Sequence, residues 1–596
     1  MRWLARALGA GDRARVAIRV GFLALSLAAI AWDLPSSFGW ENDGVAPRDI
    51  FAGVAQNLHP GTAFRYPLLH PLLLGVLCLP VLLPAALRAP SFRMVDVQPA
   101  ILAAPVMTAC ALIGRAVSIA AALVALAALG RIARRLAGRR VALWAEAFAA
   151  ANFSFAYYGR ATNLDGPALM WAALAVERLL RAGEDGDARD LTAGAIFAAL
   201  AVATKDQSYA TFVFVLPLAV LGFVRAREAR GAAWATGVSR AAGIAVLVYG
   251  AASGALLNPT GFVTRLRTLR GPASGDYRAY TRDVAGIMAN LHDLASGHER
   301  HWWPWPVVAL AWIGVALAIA RAAVGRDGDQ RRRLSIGLLG PLAAGAGCLV
   351  AFTLVVGRSE HRFVLPLGFW LSFYVGLALE AARTQAAAHS ARLRDAVTGA
   401  GALLLALSLI APLELCATQW ADGRRAVERW LEARAPGTTV ETYGPLVYQP
   451  RFADAAARGV RIARVGPEPL AGRNPQAGMS EQQGRLADVV SRAPDVVLLA
   501  EGFAAGYLED APPGAGRVVP EVARRERADA ETTAVVRAAV AGTLPGYRVC
   551  FVAAARLPWP FVARQIHVSV GQRTWVLARD GVGCGEPRFS QGLPSP

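Results

Sequence analysis

The sequence has 596 residues, of which 55% are hydrophobic, and its mean hydropathy is +0.37. This is too apolar for a soluble protein, and apolar runs near 20 residues recur as far as residue 417 and then stop. The net charge of +19 does not indicate nucleic-acid binding, because much of the arginine lies in short runs between apolar segments, as topology signals do. We therefore predict a polytopic α-helical membrane domain, 1–417, and a soluble domain, 418–596.

The first apolar segment is 16–32, and it follows a basic N-terminus that we expect in the cytoplasm. No small-residue cleavage site comes after it, so we predict a membrane span and not a signal peptide. The stretch 40–66 then lies on the outer face, and its first ten residues are rich in charge. Such an acidic cluster against a membrane indicates chemistry at the interface. A solvated loop is the alternative. The charged residues are Glu41, Asp43, Arg48 and Asp49.

Residues 66–130 contain an apolar run at 68–87 and a longer one at 100–130, with Arg115 near its middle. The basic loop 131–140 that follows is expected in the cytoplasm, so the number of crossings between 66 and 130 must be odd. Four prolines make 68–87 an awkward spanning helix. We favour a re-entrant or interfacial segment followed by one crossing over three crossings.

The later apolar segments alternate regularly, which brings the total to about twelve spans. They run over 141–158, 166–181, 191–203, 208–224, 237–257, 303–323, 334–356, 363–382 and 397–416. This topology gathers ionisable residues on the outer face, where such residues tend to mark a function. Besides Asp43 they are Arg160, Asp165, Lys205, Asp206, His361 and Arg362.

The outer loop 258–302 is rich in arginine. Its guanidinium groups could meet an anionic ligand such as a phosphate or a lipid head group, or they could lie in solvent or at the lipid surface. The tryptophans that end this loop and begin the next span are typical of an interfacial belt. They are Trp302, Trp303 and Trp305.

The soluble domain is predicted to be α/β and extracytoplasmic. AVERWLEARAPGTTVETYG is typical of a helix, a turn and a strand, and RLADVVSRAPDVVLLAEG repeats the pattern. Later strands are predicted at 546–554 and 572–578. A disulfide between Cys550 and Cys584 fits an extracytoplasmic location. The domain contains no nucleotide-binding motif and no metal-ligand spacing, and its suggested role is recognition of a partner or acceptor.

The outer motifs resemble the GT-C superfamily of membrane glycosyltransferases, within it the protein O-mannosyltransferase and lipid A aminoarabinose transferase group. The family's first outer loop carries an acidic pair. Asp43 matches its first member, and Glu41 stands two residues earlier in place of the second. The family's Tyr-Pro-Pro element corresponds to Tyr66-Pro67-Leu68. The remaining matches are Arg115, the Arg160–Asp165 loop, Lys205, and His361-Arg362 before Pro366.

The resemblance implies transfer of a sugar from a polyprenyl-phosphate donor, with inversion, on the outer face of a bacterial cytoplasmic membrane. Asp43 is the candidate general base, and Asp165 would orient a substrate or share a divalent cation with Asp43. Cations stabilise the leaving phosphate, and substrate contacts would come from Glu41, Tyr66, Arg160 and His361. The cations are Lys205, Arg362 and Arg115.

Structural roles remain open for each of these residues. Asp43 and Asp165 precede predicted helices and could be N-caps, Lys205 could snorkel from a span end, and Arg115 could pair with a buried carboxylate. The alternative function is a lipid or sugar transporter or flippase with a periplasmic accessory domain. The clustering of charge on one face and the absence of a convincing internal repeat favour the transferase. The sugar, the acceptor and the oligomeric state are not defined by the sequence.

Overall fold

The structure is a computed structural model, and it describes most of the chain with several gaps. The described residues are 10–36, 38–40, 58–59, 61, 66–271, 275–297, 302–324, 328–470, 476–508, 515–518, 529–555, 557 and 569–585. Two predicted site residues, Glu41 and Asp43, lie outside them.

Among the described residues up to 420, the regular secondary structure is helical apart from one isolated bridge at Tyr280, and each of the twelve predicted apolar segments contains a helix. Among the described residues, eight helices are long and apolar enough to cross a membrane. The protein is therefore a multi-pass membrane protein, and the exact number of crossings stays a prediction. The helices are Ala10–Ala28, Leu69–Leu87, Met94–Ile101, Ala104–Ala137, Arg139–Ala150, Phe153–Tyr158, Asp165–Asp185, Ala188–Thr204, Tyr209–Glu228, Ala235–Ala252, Pro259–Arg270, Val284–Ser296, Trp305–Val324, Gly328–Ala351, His361–His389 and Ala391–Trp420.

The run at 68–87 forms one continuous helix, Leu69–Leu87, despite its prolines. Pro71 lies in the first turn, where backbone N–H groups have no partner within the helix, so only Pro80 and Pro84 interrupt its hydrogen bonding. Cys78 and Leu82 pack on Met107 and Cys110, at the start of the helix Ala104–Ala137. The contact therefore lies on the side of Arg115 that faces away from the basic end of that helix. The helix Leu69–Leu87 is one of the eight that are long and apolar enough to cross a membrane, so the interfacial or re-entrant placement stays a prediction.

Arginine–carboxylate pairs cover the end of the helical domain that was predicted to face the cytoplasm. Arg15 and Arg19 both bind Glu146, which is completely buried. Arg131 pairs with Glu177 at 2.7 Å, and similar pairs join the neighbouring helix ends. Each buried carboxylate thus has a cation beside it, as burial of charge requires.

The C-terminal part contains a six-stranded mixed sheet in the order β3-β2-β1-β4-β6-β5. β1 to β4 are parallel, and β6 is antiparallel to both β4 and β5. The helix–strand repeats predicted from the sequence are confirmed, as are the last two strands. The strands are β1 Thr439–Tyr443, β2 Arg461–Gly466, β3 Ser480–Gln483, β4 Val496–Ala500, β5 Tyr547–Ala553 and β6 Thr574–Arg579, and the helices are Arg424–Glu432, Ala453–Ala457, Val489–Arg492, Glu501–Leu508 and Ala530–Ala541.

Apolar cores lie on both faces of this sheet. β4 separates them, and all of its residues are buried, because a parallel strand covered on both sides needs an unbroken apolar run. The last long helix of the first part runs to Trp420, and the first helix of the sheet domain begins at Arg424. The predicted boundary between 417 and 418 lies within that last helical turn and stays a prediction.

A disulfide joins Cys550 in β5 to Cys584, as the sequence suggested. We predict that the Cys550→Ser/Cys584→Ser variant unfolds about 3 kcal/mol more easily in its sheet domain, because the bond closes a loop of 34 residues. Thermal unfolding of the full-length protein in detergent, followed by proteolysis of the sheet domain, measures this. Dithiothreitol should destabilise the wild type equally and leave the variant unchanged. Equal midpoints for wild type and variant would contradict the prediction.

Candidate active site

Arg115 lies deep in the helical domain, 3% exposed. Its guanidinium donates to Asp33 Oδ1 at 2.9 Å and to the backbone carbonyl of Trp32 at 3.0 Å. Asp33, which is completely buried, also accepts a hydrogen bond from the backbone N–H of Trp40 at 2.6 Å. Arg115, which was expected to contact the donor, thus binds the residues that directly follow the first helix. This is the pairing with a carboxylate that the sequence left open, and a donor contact stays a prediction.

The segment 32–40 also forms hydrogen bonds with the sheet domain. The indole N–H of Trp32 donates to Asp422 at 3.0 Å, and that of Trp40 donates to the carbonyl of Gln449 at 2.7 Å. Arg424, fully buried and paired with Asp422, stacks on the Trp40 ring at 4.0 Å. Trp40 is the last described residue before Glu41. The start of the predicted acidic stretch is therefore fixed by both domains.

A cleft brings together three predicted site residues, Asp165, Lys205 and Arg362. Asp165 begins a helix, and its carboxylate accepts a hydrogen bond from Lys205 Nζ. Both side chains are largely buried, at 8% and 14% exposure. The structure thus brings together residues that are separated by about 200 positions in the sequence.

Three cations surround the ring of Phe363 in this region. The guanidinium carbons of Arg358 and Arg362 lie 5.1 Å from the ring centroid, and Lys205 Nζ lies 5.9 Å from it. Glu360 pairs with Arg358 at 2.9 Å and lies 3.7 Å from Arg362. The carboxylates of Asp165 and Glu360 therefore lie beside these cations. We call Lys205, Arg358 and Arg362 the Phe363 cation cluster.

Arg358 was missed from the sequence. The sequence feature that could have identified Arg358 is its position four residues before Arg362. In the structure both side chains reach the same ring, near the start of the helix His361–His389. A second signal was also missed. Of the 62 lysine and arginine residues in the sequence, Lys205 is the only lysine. A chain that otherwise uses arginine throughout keeps a compact ammonium at this position, where a point charge differs chemically from a planar guanidinium.

The loop 159–166 packs directly on the helix that carries Arg115. A Cβ on Gly114 would lie 2.4 Å from the Thr162 methyl group, and one on Gly166 would lie 3.1 Å from the carbonyl of Tyr158. Arg160 in this loop donates to Gln419, and also to Cys416 Sγ at 2.9 Å. Arg160 is 5% exposed, so it joins the loop to the last helix, and its predicted substrate contact stays a prediction.

The far end of the loop that begins at Trp40 returns to the same region. Tyr66 packs against the cluster of Leu74 and Leu164, and Leu164 is the residue before Asp165. Asn258 accepts a hydrogen bond from the Gly61 N–H and donates to the carbonyl of His59, both at 2.9 Å. The described ends of this loop, at Trp40 and at Tyr66, are therefore both anchored by contacts with other parts of the chain.

Loop 258–302 contributes an arginine beside the site. Arg265, 4% exposed, makes a two-pronged ion pair with Asp206, the residue after Lys205. This arginine thus meets a protein carboxylate, neither solvent nor a free anion. The prediction that the tryptophans of this region form an interfacial belt is wrong for two of them. Trp302 and Trp303 are buried and donate to backbone carbonyls of Val364 and Phe148, because a buried indole N–H needs an acceptor.

Two further predictions concern His361 and a metal. His361 is the first residue of the helix His361–His389 and is not among the residues that line the cleft. Within the described part of the chain, no group of three His, Cys, Asp or Glu side chains could hold a metal ion. Asp165 faces the Lys205 ammonium, and Asp43 lies outside the described residues, so a shared divalent cation stays a prediction.

The fold and the site define a multi-pass membrane protein with a C-terminal sheet domain and a cationic cleft between helix ends. The family model described as dolichyl-phosphate-mannose-protein mannosyltransferase matches residues 111–250. This range includes Arg115, Asp165 and Lys205. The match confirms the predicted resemblance to the GT-C membrane glycosyltransferases. No curated protein matches the sequence.

The solved structures that are similar to this chain include an ArnT and an AglB. ArnT from Cupriavidus metallidurans bound to undecaprenyl phosphate is 13% identical, with a TM-score of 0.45 over 96% of this chain and 99% of that one. The oligosaccharyltransferase AglB from Archaeoglobus fulgidus, in complex with an inhibitory peptide and a dolichol-phosphate, is 12% identical, with a TM-score of 0.39 over 75% and 64% of the two chains. At these TM-scores, the likeness assigns no role to any residue.

The buried pair of Arg115 and Asp33 should be critical for stability. We predict that Arg115→Leu costs about 3–5 kcal/mol, because it leaves the Asp33 carboxylate buried without a cation. Arg115→Leu/Asp33→Asn should recover part of the loss, since the asparagine side chain is neutral and keeps an acceptor for the Trp40 N–H. Thermal unfolding of the purified protein measures both.

Arg131→Leu is the matched control on the same helix. The Arg131 side chain is 43% exposed, and its partner Glu177 keeps a second arginine, Arg181. Its loss should cost no more than about 1 kcal/mol. If Arg115→Leu costs as little as this control, the pair is not the anchor that its burial indicates.

Proposed function

We propose that this protein is a membrane glycosyltransferase that moves a sugar from a polyprenyl-phosphate donor to an acceptor hydroxyl. The Phe363 cation cluster carries the proposal. A ring of cations beside a carboxylate, at an apolar helix end, suits the phosphate of a lipid whose chain lies among the helices. The family-model match over residues 111–250 supports the same chemistry, because the name of that family includes a polyprenyl-phosphate sugar.

The proposed transfer is an inverting displacement. The acceptor oxygen forms a bond to the anomeric carbon while the bond from that carbon to the phosphate oxygen breaks, and the electron pair leaves with the phosphate. Asp43 takes the acceptor proton as general base. Charge on the phosphate grows as the bond breaks, so cations fixed in place stabilise the transition state more than the ground state.

Each cation has a distinct part. Lys205 presents a point charge, and its contact with Asp165 keeps the ammonium directed into the cleft. Arg362 and Arg358 offer planar guanidinium groups that can donate to two phosphate oxygens at once. Glu360 holds Arg358 from the side, which leaves the cluster preorganised before the donor arrives.

We place the reaction on the outer face of the cytoplasmic membrane, with the N-terminus inside and the sheet domain outside. Two observations support this orientation. Arg15, Arg19, Arg131 and Arg135 lie at the end of the helices that is opposite the sheet domain, as the positive-inside rule requires. The arginines of the longer loop 258–302 lie on the side of the sheet domain and are the exception. The Cys550–Cys584 disulfide in the sheet domain suits an oxidising compartment.

The proposal predicts a chemical phenotype. Cells that carry a deletion of the protein, Asp43→Asn or Lys205→Met at matched expression should all accumulate the same polyprenyl-phosphate sugar. Loss of a stabilising cation is expected to slow transfer about 100-fold. Mass spectrometry of lipid extracts measures the accumulation, and the mass identifies the donor.

Arg267→Met is the matched control, because Arg267 is exposed on the helix Pro259–Arg270 and lies outside the cleft. It should leave the lipid profile as in the wild type. If the deletion changes the lipids while Asp43→Asn and Lys205→Met do not, the transferase proposal fails. That result would favour a lipid transporter or flippase.

A further inference from the structure

The sheet domain reaches back to the helical domain through the segment 515–518. This segment pairs in an antiparallel bridge with the loop after the helix Pro259–Arg270, where Arg517 lies opposite Tyr280. The Thr281 N–H donates to the Gly516 carbonyl at 3.0 Å, and the Val518 N–H donates to the Ala279 carbonyl at 2.9 Å. The contact joins parts of the chain about 235 residues apart.

Arg517 makes the main side-chain contact of this bridge. Its guanidinium binds Asp293 in a two-pronged arrangement, at 2.7 Å to Oδ1 and 3.1 Å to Oδ2. Asp293 is 8% exposed. Burial alone raises the pKa of Asp293, but hydrogen bonds from Arg517, Tyr280 and His292 outweigh burial and hold the pKa below its ordinary value. The Arg517 guanidinium of the sheet domain therefore helps to stabilise the ionised form of this carboxylate.

The contact continues from Asp293 toward the cation cluster. The hydroxyl of Tyr280 donates to Asp293 Oδ2 at 2.6 Å and also contacts the hydroxyl of Ser359. Tyr280 and Ser359 are both 3% exposed. Ser359 is the residue after Arg358. A chain of buried polar contacts therefore runs from Arg517 to the backbone that carries the cluster.

The same loop also contacts the residues around Arg358 through its backbone and through an aromatic ring. The Ala279 N–H donates to the Gly357 carbonyl at 3.0 Å, and the ring of Tyr277 lies under the Arg358 guanidinium at 5.1 Å. Gly357 has φ +64°, so the turn before Arg358 has a conformation that favours glycine. The direction of the Arg358 side chain depends on this loop.

We propose that Arg517 is a positioning residue for the lipid-phosphate site. By holding Asp293, and through it Tyr280 and Ser359, Arg517 fixes Arg358 and Arg362 around the Phe363 ring. The sheet domain is therefore part of the donor site and not only a platform for the acceptor. This inference rests on the proposed function, because it assigns the cluster to a phosphate.

The test measures binding of undecaprenyl phosphate to the purified full-length protein in nanodiscs. Arg517→Ala should weaken binding about 10-fold, the range in which a residue coupled to a site without touching its ligand acts. Arg517→Lys should bind with intermediate affinity, because it keeps the charge but loses the two-pronged contact. Arg485→Ala, which removes an arginine paired with Asp529 and Glu531 in the same domain, should bind as the wild type does.

Tyr280→Phe separates positioning from general stability. It removes only the hydroxyl that joins Asp293 to Ser359 and leaves the Arg517–Asp293 pair intact. Its effect on binding should equal that of Arg517→Ala, and the double variant should be no weaker than either single variant, with an unchanged thermal midpoint for Tyr280→Phe. A double variant that adds the two losses would contradict a shared chain of contacts.

Failure of this inference and failure of the proposed function give different results. If Arg358→Leu abolishes binding while Arg517→Ala and Tyr280→Phe bind like the wild type, the positioning role is wrong and the phosphate site stands. If the wild-type protein does not bind undecaprenyl phosphate at all, both are overturned.

Discussion

The buried pair of Asp33 and Arg115 is the interaction on which the junction between the helical domain and the sheet domain depends. It joins the end of the first helix to the helix Ala104–Ala137, and Asp33 also accepts the backbone N–H of Trp40. Trp40 in turn contacts Arg424 of the sheet domain. A buried charge must be paired, so these groups cannot separate without a large cost. The two domains therefore share one buried polar junction, directly before the acidic stretch that was predicted to hold the general base.

The cleft beside this junction also holds charged groups in a largely apolar setting. Around Phe363, the cations Lys205, Arg358 and Arg362 lie near the carboxylates of Asp165 and Glu360. Arginines and carboxylates also meet at the opposite end of the helices, where Glu146 and Glu177 each contact two arginines. The cleft differs in placing one ammonium and two guanidinium groups around a single aromatic ring. This arrangement fits the proposed phosphate, and the apolar surroundings fit the lipid attached to it.

Much of this organisation could be predicted from the sequence, because it follows from periodicity and topology. Local sequence patterns predicted the helices and the strands β1 and β4 to β6. The alternation of membrane crossings predicted that Asp165, Lys205 and Arg362 lie at one face. The pairing of Arg115 with Asp33 could not be predicted, because 82 residues separate them and several carboxylates were available. The burial of Trp302 and the return of Arg517 to Asp293 likewise depend on tertiary packing. The single lysine is visible in the composition, and composition alone is enough to single out Lys205.

That lysine also provides the most direct measurement of the central claim, that the Phe363 cation cluster holds a lipid phosphate. An amine-reactive reagent can acylate only Lys205 and the N-terminal amine of this chain, and mass spectrometry of the digested protein separates the two sites. The account predicts that undecaprenyl phosphate protects Lys205 from acylation, whereas undecaprenol, with the same chain and no phosphate, does not. Equal labelling of Lys205 in the presence of the two lipids would contradict it.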